Sequence, residues 1–233
     1  MIIKVCGLND ADNMRQVAEA GADWLGMIFW DRSPRRVDML RIPTGMMPDS
    51  SGKMGNSAIG RCKKVGVFVD ANPQYIITRV IQFGLDAIQL HGHEMPTMIR
   101  NLKATLVPDL KKEITIIKAI SIEKKEDLER CHDYEDIADI FLFDTKCKCV
   151  GGSGESFDWS VINEYHGDQP FILSGGIGPD DAKRVKAVDH PKMMGVDINS
   201  RFELQPGVKD VEKVSAFIRE MREQQNDLIT NMR

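Results

Sequence analysis

The chain opens with Ile2-Ile3-Lys4-Val5-Cys6-Gly7, and the pattern that this stretch begins decides the fold. Its β-branched residues favour a short buried strand, and Gly7 marks where that strand ends. Cys6 therefore lies at the carboxyl end of the strand, where a thiol can face a pocket. It is a candidate catalytic base, and the alternative is a small buried core residue, as free cysteines commonly are.

Seven further apolar, β-rich runs follow along the chain. They are Trp24 to Phe29, Lys64 to Val69, Ala87 to Leu90, Ile114 to Ala119, Ile140 to Asp144, Pro170 to Ser174 and Met194 to Ile198. The runs are continuous rather than alternating, as strands buried on both faces require. Helix signals separate them, such as Asp10 to Ala20 before Gly21, and a segment with Asn72 as its cap and Gly84 at its end. This strand-helix alternation predicts an α/β fold, a single-domain (β/α)8 TIM barrel, rather than an open doubly wound sheet.

The predicted barrel covers residues 1–222, and a polar tail of residues 223–233 follows it. Later helices are predicted from Ser121 to Cys131, Asp158 to Glu164, Pro179 to Val188 and Asp210 to Met221. Two connections fit the pattern poorly. The segment Arg41 to Arg61 is rich in glycine, and Met95 to Glu113 contains two prolines, so we predict that both are irregular.

Composition excludes several classes of protein. The formal net charge of −4 comes with charges of both signs mixed along the chain, which argues against a nucleic-acid partner. No apolar run approaches the roughly 20 residues that cross a bilayer, so a cytoplasmic protein without a membrane partner is expected. The chain has five cysteines, an odd number whose spacing does not indicate a disulfide framework. Cys147-Lys148-Cys149 has C-x-C spacing, unlike the C-x-x-C of zinc sites, so no metal site is predicted.

Two loops at the carboxyl ends of the last strands predict a phosphate site. Ser174-Gly175-Gly176-Ile177-Gly178 follows the seventh strand and exposes backbone N–H groups that can bind an anion. Asn199-Ser200 follows the eighth strand, and these two loops are where such barrels commonly bind phosphate. A phosphorylated substrate is therefore predicted, with simple tight turns as the alternative.

Three further side chains follow strands at the same end of the barrel. Arg35 can bind a carboxylate through a bidentate fork, or it can be a solvated charge. Asp144 ends the apolar run from Ile140, where desolvation favours a protonated carboxyl group that can donate its proton; capping of the next turn is the alternative. His91 either orients the site or has a structural role. Gly151 to Gly154 is predicted to be a mobile loop that closes over a ligand.

Ordered blocks along nearly the whole chain resemble the signature segments of the phosphoribosylanthranilate isomerase family of tryptophan biosynthesis. The blocks are Lys4 to Gly7, Gly26 to Phe29 with Ser33 to Arg35, Val65 to Phe68, Gln89 to Gly92, Phe143 to Lys146, Gly151 to Gly154 with Phe157 to Trp159, Ser174 to Ile177, and Gly195 to Asp197 with Ser200 and Glu203 through Asp210. The individual blocks are short, but their order makes the resemblance specific.

The resemblance implies an Amadori rearrangement of N-(5-phosphoribosyl)anthranilate to 1-(2-carboxyphenylamino)-1-deoxyribulose 5-phosphate. It implies that Cys6 is the general base and Asp144 the general acid. It further implies that Arg35 binds the anthranilate carboxylate, that Asp197 lies near the substrate nitrogen, and that Gly175, Gly176 and Ser200 belong to the phosphate loops. The reaction is an internal redox isomerisation, so no cofactor is expected. The expected partner is a small-molecule phosphosugar, and the protein is expected to be a monomer or homodimer.

Two alternatives differ in chemistry. The analogous sugar isomerase of the histidine pathway keeps the barrel and the phosphate site, but its chemistry is associated with aspartates at both catalytic ends, and Cys6 speaks against it. A phosphate-sensing barrel without turnover has no need of both Cys6 and Asp144. If Cys6 acts as a thiolate, its pKa must be lowered, and Lys4 is the candidate cation. Arg201, where family members often have glycine, is either a further phosphate contact or a solvent-exposed side chain.

Overall fold

The computed structural model describes residues 1–38, 58–109, 113–145 and 159–230. Eight parallel strands close into a barrel, each paired with its neighbour in chain order and the first paired with the last. They are β1 Ile2–Val5, β2 Trp24–Ile28, β3 Lys63–Phe68, β4 Ala87–Leu90, β5 Thr115–Ile122, β6 Ile140–Thr145, β7 Phe171–Ser174 and β8 Met193–Ile198. The predicted (β/α)8 barrel is confirmed, and every strand except β5 matches its predicted run to within one residue.

Helices connect the strands on the outside of the barrel. The α-helices are α1 Ala11–Glu19, α2 Ala58–Arg61, α3 Pro73–Phe83, α4 Pro96–Asp109, α5 Ala182–Lys186 and α6 Val211–Thr230. Short 3-10 helices span Lys125–Tyr134, Trp159–Glu164, Pro179–Asp181 and Ser200–Phe202, and a small antiparallel pair, β9 Glu203–Gln205 and β10 Val208–Lys209, precedes α6. The predicted ends of α3 are confirmed, since Asn72 caps it and Gly84 ends it with φ at 56°. Within the described ranges, no helix combines the length and apolar character that a membrane span needs.

Some predicted boundaries differ from the structure. The fourth connection, Met95 to Glu113, was expected to be irregular, and this is wrong for residues 96–109: they form α4, with Pro96 at the first helical position, where a missing N–H costs nothing. β5 continues to Ile122, so Ser121 lies in a strand and the next helix begins at Lys125. Most of Arg41 to Arg61 and the whole loop Gly151 to Gly154 lie outside the described residues. Helix α6 passes residue 222, and the predicted domain boundary there stays a prediction.

Alternation along the strands separates two hydrophobic layers. The barrel interior is filled by one cluster of inward-facing residues: Trp24, Val65, Ala87, Ile117, Ala119, Ile140, Leu142 and Ile172. The intervening residues, Phe141 and Phe143 among them, pack with the larger cluster that contains the helix side chains. Because successive side chains on a strand point to opposite faces, Asp144 points into the barrel on the same face of β6 as Ile140 and Leu142. The interior of the barrel therefore leads directly to the ionisable groups at its carboxyl end.

Three aspartates brace the opposite, amino-terminal end. Asp23, Asp86 and Asp139 directly precede β2, β4 and β6, and their carboxylates accept the backbone N–H groups of Ile3, Lys64 and Ile116 at 2.8, 2.9 and 2.7 Å, respectively. Each hydrogen bond therefore joins the start of one strand to the strand before it. In barrels of this class the amino-terminal face contributes to stability rather than to chemistry.

Replacing Asp139 by alanine is expected to lower the free energy of unfolding by about 1–3 kcal/mol, since it leaves the buried N–H of Ile116 without its acceptor. Urea denaturation measures this change. Asp133→Ala, at an exposed position of the 3-10 helix, is the control and should cost less than about 0.5 kcal/mol. Equal losses in the two variants would contradict the bracing role.

Candidate active site

A cavity of about 290 Å³ opens at the carboxyl ends of the barrel strands. Eight of the predicted site residues line it, and these are Cys6, His91, Asp144, Gly175, Gly176, Asp197, Asn199 and Ser200. A larger groove of about 670 Å³ lies beside the 3-10 helix Lys125–Tyr134, away from all of them. The smaller cavity is the candidate active site, because parallel barrels carry their chemistry at this end.

Cys6 lies over a buried ion pair at the base of this cavity. Lys4 and Cys6 are two residues apart, so both face the barrel interior. The ammonium nitrogen of Lys4 donates to Oδ1 of Asp197 at 2.8 Å, with the side chains 0% and 6% exposed. Ser174 Oγ donates to the other carboxylate oxygen of Asp197 at 3.4 Å. One buried polar cluster thus joins the carboxyl ends of β1, β7 and β8.

The charge state of this cluster differs from the sequence-based expectation. Burial raises the pKa of the Cys6 thiol above its ordinary value, and the negative charge of Asp197 also raises it. The positive charge of Lys4 lowers this pKa, but not enough to offset the other two effects. Burial by itself lowers the pKa of Lys4, but the ion pair and hydrogen bond with Asp197, together with the interaction with Cys6, outweigh it, so the pKa of Lys4 is raised. Lys4 is the cation beside Cys6, as predicted, but in the ligand-free protein Cys6 rests as a thiol.

Alkylation of Cys6 by iodoacetamide is expected to keep accelerating as the pH rises past 9. The thiolate is the reactive species, and a raised pKa moves its formation to more alkaline pH. Mass spectrometry of the peptide that contains Cys6 gives the rate at each pH, and the urea-unfolded chain supplies the ordinary profile. A rate that levels off below pH 8 in the folded protein would show that the pKa is lowered instead.

His91 links two strands by a chain of side-chain hydrogen bonds. Gln89 Nε2 lies 2.9 Å from His91 Nδ1, and His91 Nε2 lies 3.3 Å from Oδ2 of Asp144. The side chains of His91 and Asp144 are 29% and 27% exposed, so the desolvation predicted for Asp144 is only partial. Both ring nitrogens of His91 are therefore engaged within the protein.

Arg35 lies at the rim, next to Gly7, rather than in the cavity lining. Its Nε and Nη2 donate to the carboxylate of Glu203 at 2.9 and 2.7 Å. Glu203 also accepts from the buried Lys209 at 2.7 Å, and although burial raises the pKa of Glu203, its two cationic partners lower it below the usual value. A guanidinium group has five N–H donors, and only two of those on Arg35 are engaged among the described residues, which leaves enough for the predicted fork on a carboxylate.

The two predicted phosphate loops lie side by side on the cavity wall. Gly175 and Gly176 have φ of 95° and 67°, a region that favours glycine, and a Cβ on Gly175 would collide with the backbone of Thr145. The backbone N–H groups of Gly175, Gly176 and Asn199 have no acceptor among the described residues. Lys209 donates to Oδ1 of Asn199 at 2.7 Å and so fixes the second loop. Free N–H groups that converge in this way suit an anion.

Sequence reasoning gave no role to Gln89, Glu203 or Lys209. Gln89 could have been found from its spacing, because it lies two residues before His91 and therefore on the same face of β4. Glu203 and Lys209 had none in their spacing, because the β9–β10 pair and its turn bring them together. Arg201 lines the cavity mouth and is 53% exposed. Within the described ranges, no group of three or more His, Cys, Asp or Glu side chains is arranged to hold a metal ion.

A closed (β/α)8 barrel whose ionisable side chains and open N–H groups converge at the carboxyl end defines a barrel enzyme. The family model for N-(5'-phosphoribosyl)anthranilate (PRA) isomerase matches residues 3–220. The N-(5'-phosphoribosyl)anthranilate isomerase of Parabacteroides distasonis is 42% identical over 221 residues, which cover 95% of this chain and 93% of that protein. The chain therefore belongs to the N-(5'-phosphoribosyl)anthranilate isomerase family, and it is an isomerase.

Solved structures agree with this assignment. Phosphoribosyl anthranilate isomerase from Thermotoga maritima has a TM-score of 0.75 and 28% sequence identity, over 96% of this chain and all of that one (100%). A structure of phosphoribosyl anthranilate isomerase in complex with reduced 1-(o-carboxyphenylamino)-1-deoxyribulose 5-phosphate has a TM-score of 0.73 and 26% sequence identity. The match covers 96% of this chain and 100% of that one.

Proposed function

We propose that this chain converts N-(5-phosphoribosyl)anthranilate to 1-(2-carboxyphenylamino)-1-deoxyribulose 5-phosphate in tryptophan biosynthesis, with Asp144 as general acid and Cys6 as general base. The observation that carries the proposal is that both side chains line one cavity, beside two loops with free backbone N–H groups. Family membership supports the substrate, as does the ligand of the solved relative. The cytoplasmic location, the absence of a nucleic-acid partner and the state of monomer or homodimer stay predictions.

Asp144 begins the reaction by giving its proton to the ring oxygen of the ribose. The bond between that oxygen and C1 breaks, and the nitrogen lone pair forms a C1=N iminium. Asp144 is suited to this step because it is partly exposed in the cavity and its Oδ2 contacts His91. A positioned acid of this kind typically contributes ~10² to 10⁴ in rate.

Cys6 first gives its thiol proton to solvent, and as the thiolate it then removes the proton from C2 of the opened sugar. The electrons of that C–H bond form a C1=C2 double bond, and the electrons of the iminium return to nitrogen, giving an enolamine. Loss of the enol O–H proton and protonation of C1 yield the ketone, so the overall change is an isomerisation. The positive charge on the iminium acidifies the C2 proton and favours the thiolate, in opposition to the burial that keeps free Cys6 protonated.

The remaining site residues bind the two ends of the substrate. We assign the phosphate to the N–H groups of Gly175, Gly176 and Asn199 and to Ser200. Arg35 takes the anthranilate carboxylate at the rim, where Glu203 holds its guanidinium. Asp197 lies near the substrate nitrogen, and His91 shapes the wall between them.

The decrease in the fluorescence of N-(5-phosphoribosyl)anthranilate on addition of purified protein tests this function. We expect catalytic turnover without an added cofactor, with the ketose phosphate as the product in mass spectrometry. If the protein binds the substrate but leaves its fluorescence unchanged, it does not have the proposed activity.

Arg35→Lys is expected mainly to raise KM, since lysine cannot bind both Glu203 and a substrate carboxylate through one planar fork. Steady-state kinetics with the fluorescent substrate measures the change. Arg36→Lys is the matched control, because Arg36 is 57% exposed and pairs only with Asp31 among the described residues. If KM is the same for both variants and the wild type, Arg35 does not bind substrate.

A further inference from the structure

The amide of Gln89 is buried inside the barrel, and its oxygen is unpaired among the described residues. Its side chain is 1% exposed, and its Oε1 has no partner among the described residues. Its Nε2 lies 2.9 Å from His91 Nδ1. An unpaired buried oxygen costs stability, so a role for the donated hydrogen bond is worth seeking.

The orientation of this amide decides where His91 carries its proton. An amide nitrogen can only donate, so Nδ1 must accept, and a neutral imidazole then has its hydrogen on Nε2. That hydrogen points to Oδ2 of Asp144, 3.3 Å away. If the amide were turned, Oε1 would require a hydrogen on Nδ1, and the bare Nε2 would then face the carboxylate that Asp144 becomes when it gives up its proton. Only the first arrangement lets a neutral ring donate a hydrogen bond to that carboxylate.

We propose that Gln89 is a positioning residue that fixes His91 as the neutral tautomer with its hydrogen on Nε2. That N–H holds Oδ2 of Asp144, so Oδ1 carries the proton that the substrate receives. The inference rests on the proposed role of Asp144 as the acid. As Asp144 gives up its proton, the hydrogen bond from His91 becomes charge-assisted and strengthens, which favours the transition state over the ground state.

Another buried ion pair, Lys118–Glu94, holds the backbone around His91. The ammonium group of Lys118 donates to the carbonyl oxygens of Leu90 and Gly92 at 3.3 and 2.7 Å, on either side of His91. It pairs with Glu94 at 2.9 Å, both side chains being 1% exposed, and Glu94 accepts the N–H of Gly92. The imidazole is therefore oriented from its backbone and from Gln89, as a site that acts through fixed geometry requires.

The tautomer can be observed directly in the ligand-free wild-type protein. In a protein labelled with ¹⁵N-histidine, long-range ¹H–¹⁵N correlation spectra distinguish a protonated ring nitrogen from a bare one, and the signals lost in His91→Asn identify His91 among the five histidines. We expect a protonated Nε2 and a bare Nδ1. A protonated Nδ1 in the wild type would overturn the proposal without any variant of Gln89.

Gln89→Glu supplies the kinetic test, because a carboxylate at this position accepts from Nδ1 and reverses the tautomer. We expect kcat to fall roughly 10- to 100-fold with KM unchanged, less than the full contribution of the acid. Gln89→Met, which neither donates nor accepts strongly, should leave a mixture of tautomers and a smaller loss. Gln74→Glu, exposed on α3, is the control for the added charge and should keep full activity.

A double variant separates this inference from the proposed function. If Gln89 acts through Asp144, then Gln89→Glu adds no further loss to Asp144→Asn. Additive losses, or wild-type kcat in Gln89→Glu, would overturn the positioning role while leaving Asp144 as the acid. Full activity in Asp144→Asn itself would instead remove the proposed acid, whatever the tautomer of His91.

Discussion

Cys6→Ala is expected to lower kcat by at least ~100-fold, because it removes the group that takes the C2 proton. The thiol lies at the base of the cavity, beside the buried Lys4–Asp197 pair, and this is the position from which a base can reach the opened sugar. Substrate binding does not depend on it, so KM should change little. Steady-state kinetics with the fluorescent substrate gives both constants.

Two controls distinguish loss of the base from loss of packing. Cys6→Ser keeps nearly the same shape, but a serine hydroxyl is hardly ionised at a pH where a thiol can form the thiolate, so the variant should be almost as inactive as alanine. Cys62→Ala truncates another buried cysteine, one that donates to the carbonyl of Ala22 away from the cavity. It should alter the unfolding midpoint but not kcat. Wild-type kcat in Cys6→Ala would show that the thiol only packs.

Asp144→Asn is the second large effect, and a kcat loss of at least ~100-fold is again expected. The amide is close to the carboxyl group in size and can still contact His91, so the cavity should keep its shape. It has no acidic proton to give to the ring oxygen, and the furanose stays closed.

Asp139→Asn is the matched control, because Asp139 also flanks β6 but lies at its amino-terminal end. Its effect should appear in urea denaturation rather than in kcat. A comparable loss of kcat in the two variants would mean that disturbance of β6, and not removal of the acid, lowers the rate.

Much of the fold could be predicted because burial on both faces leaves a clear record in the sequence. Continuous apolar runs marked the eight strands, and caps such as Asn72 and Gly84 marked helix ends. The connection from Met95 to Glu113 was misjudged because prolines signal breaks in general, yet Pro96 occupies the first position of α4, which tolerates proline, and Pro108 lies in its last turn. The end of β5 was misplaced because Ser121 is compatible with either a strand or a helix cap.

The candidate site was only partly accessible from the sequence. Because parallel strands end together, the positions of Cys6, Asp144 and the two loops at strand ends were enough to predict that they share one cavity. The state of Cys6 was not accessible: a neighbouring cation suggested a lowered pKa, and burial, which depends on the whole barrel, outweighs it. The Glu203 partner of Arg35 is 168 residues away in the chain, and no local pattern indicates such a contact.

A single-turnover experiment with enzyme in excess over N-(5-phosphoribosyl)anthranilate tests whether Cys6 and Asp144 carry the reaction. It follows the decay of substrate fluorescence in the wild type, Cys6→Ala and Asp144→Asn, each verified as folded by its thermal unfolding curve. We expect complete conversion by the wild type and rates at least ~100-fold slower in each variant. Conversion at the wild-type rate in both variants would contradict this expectation.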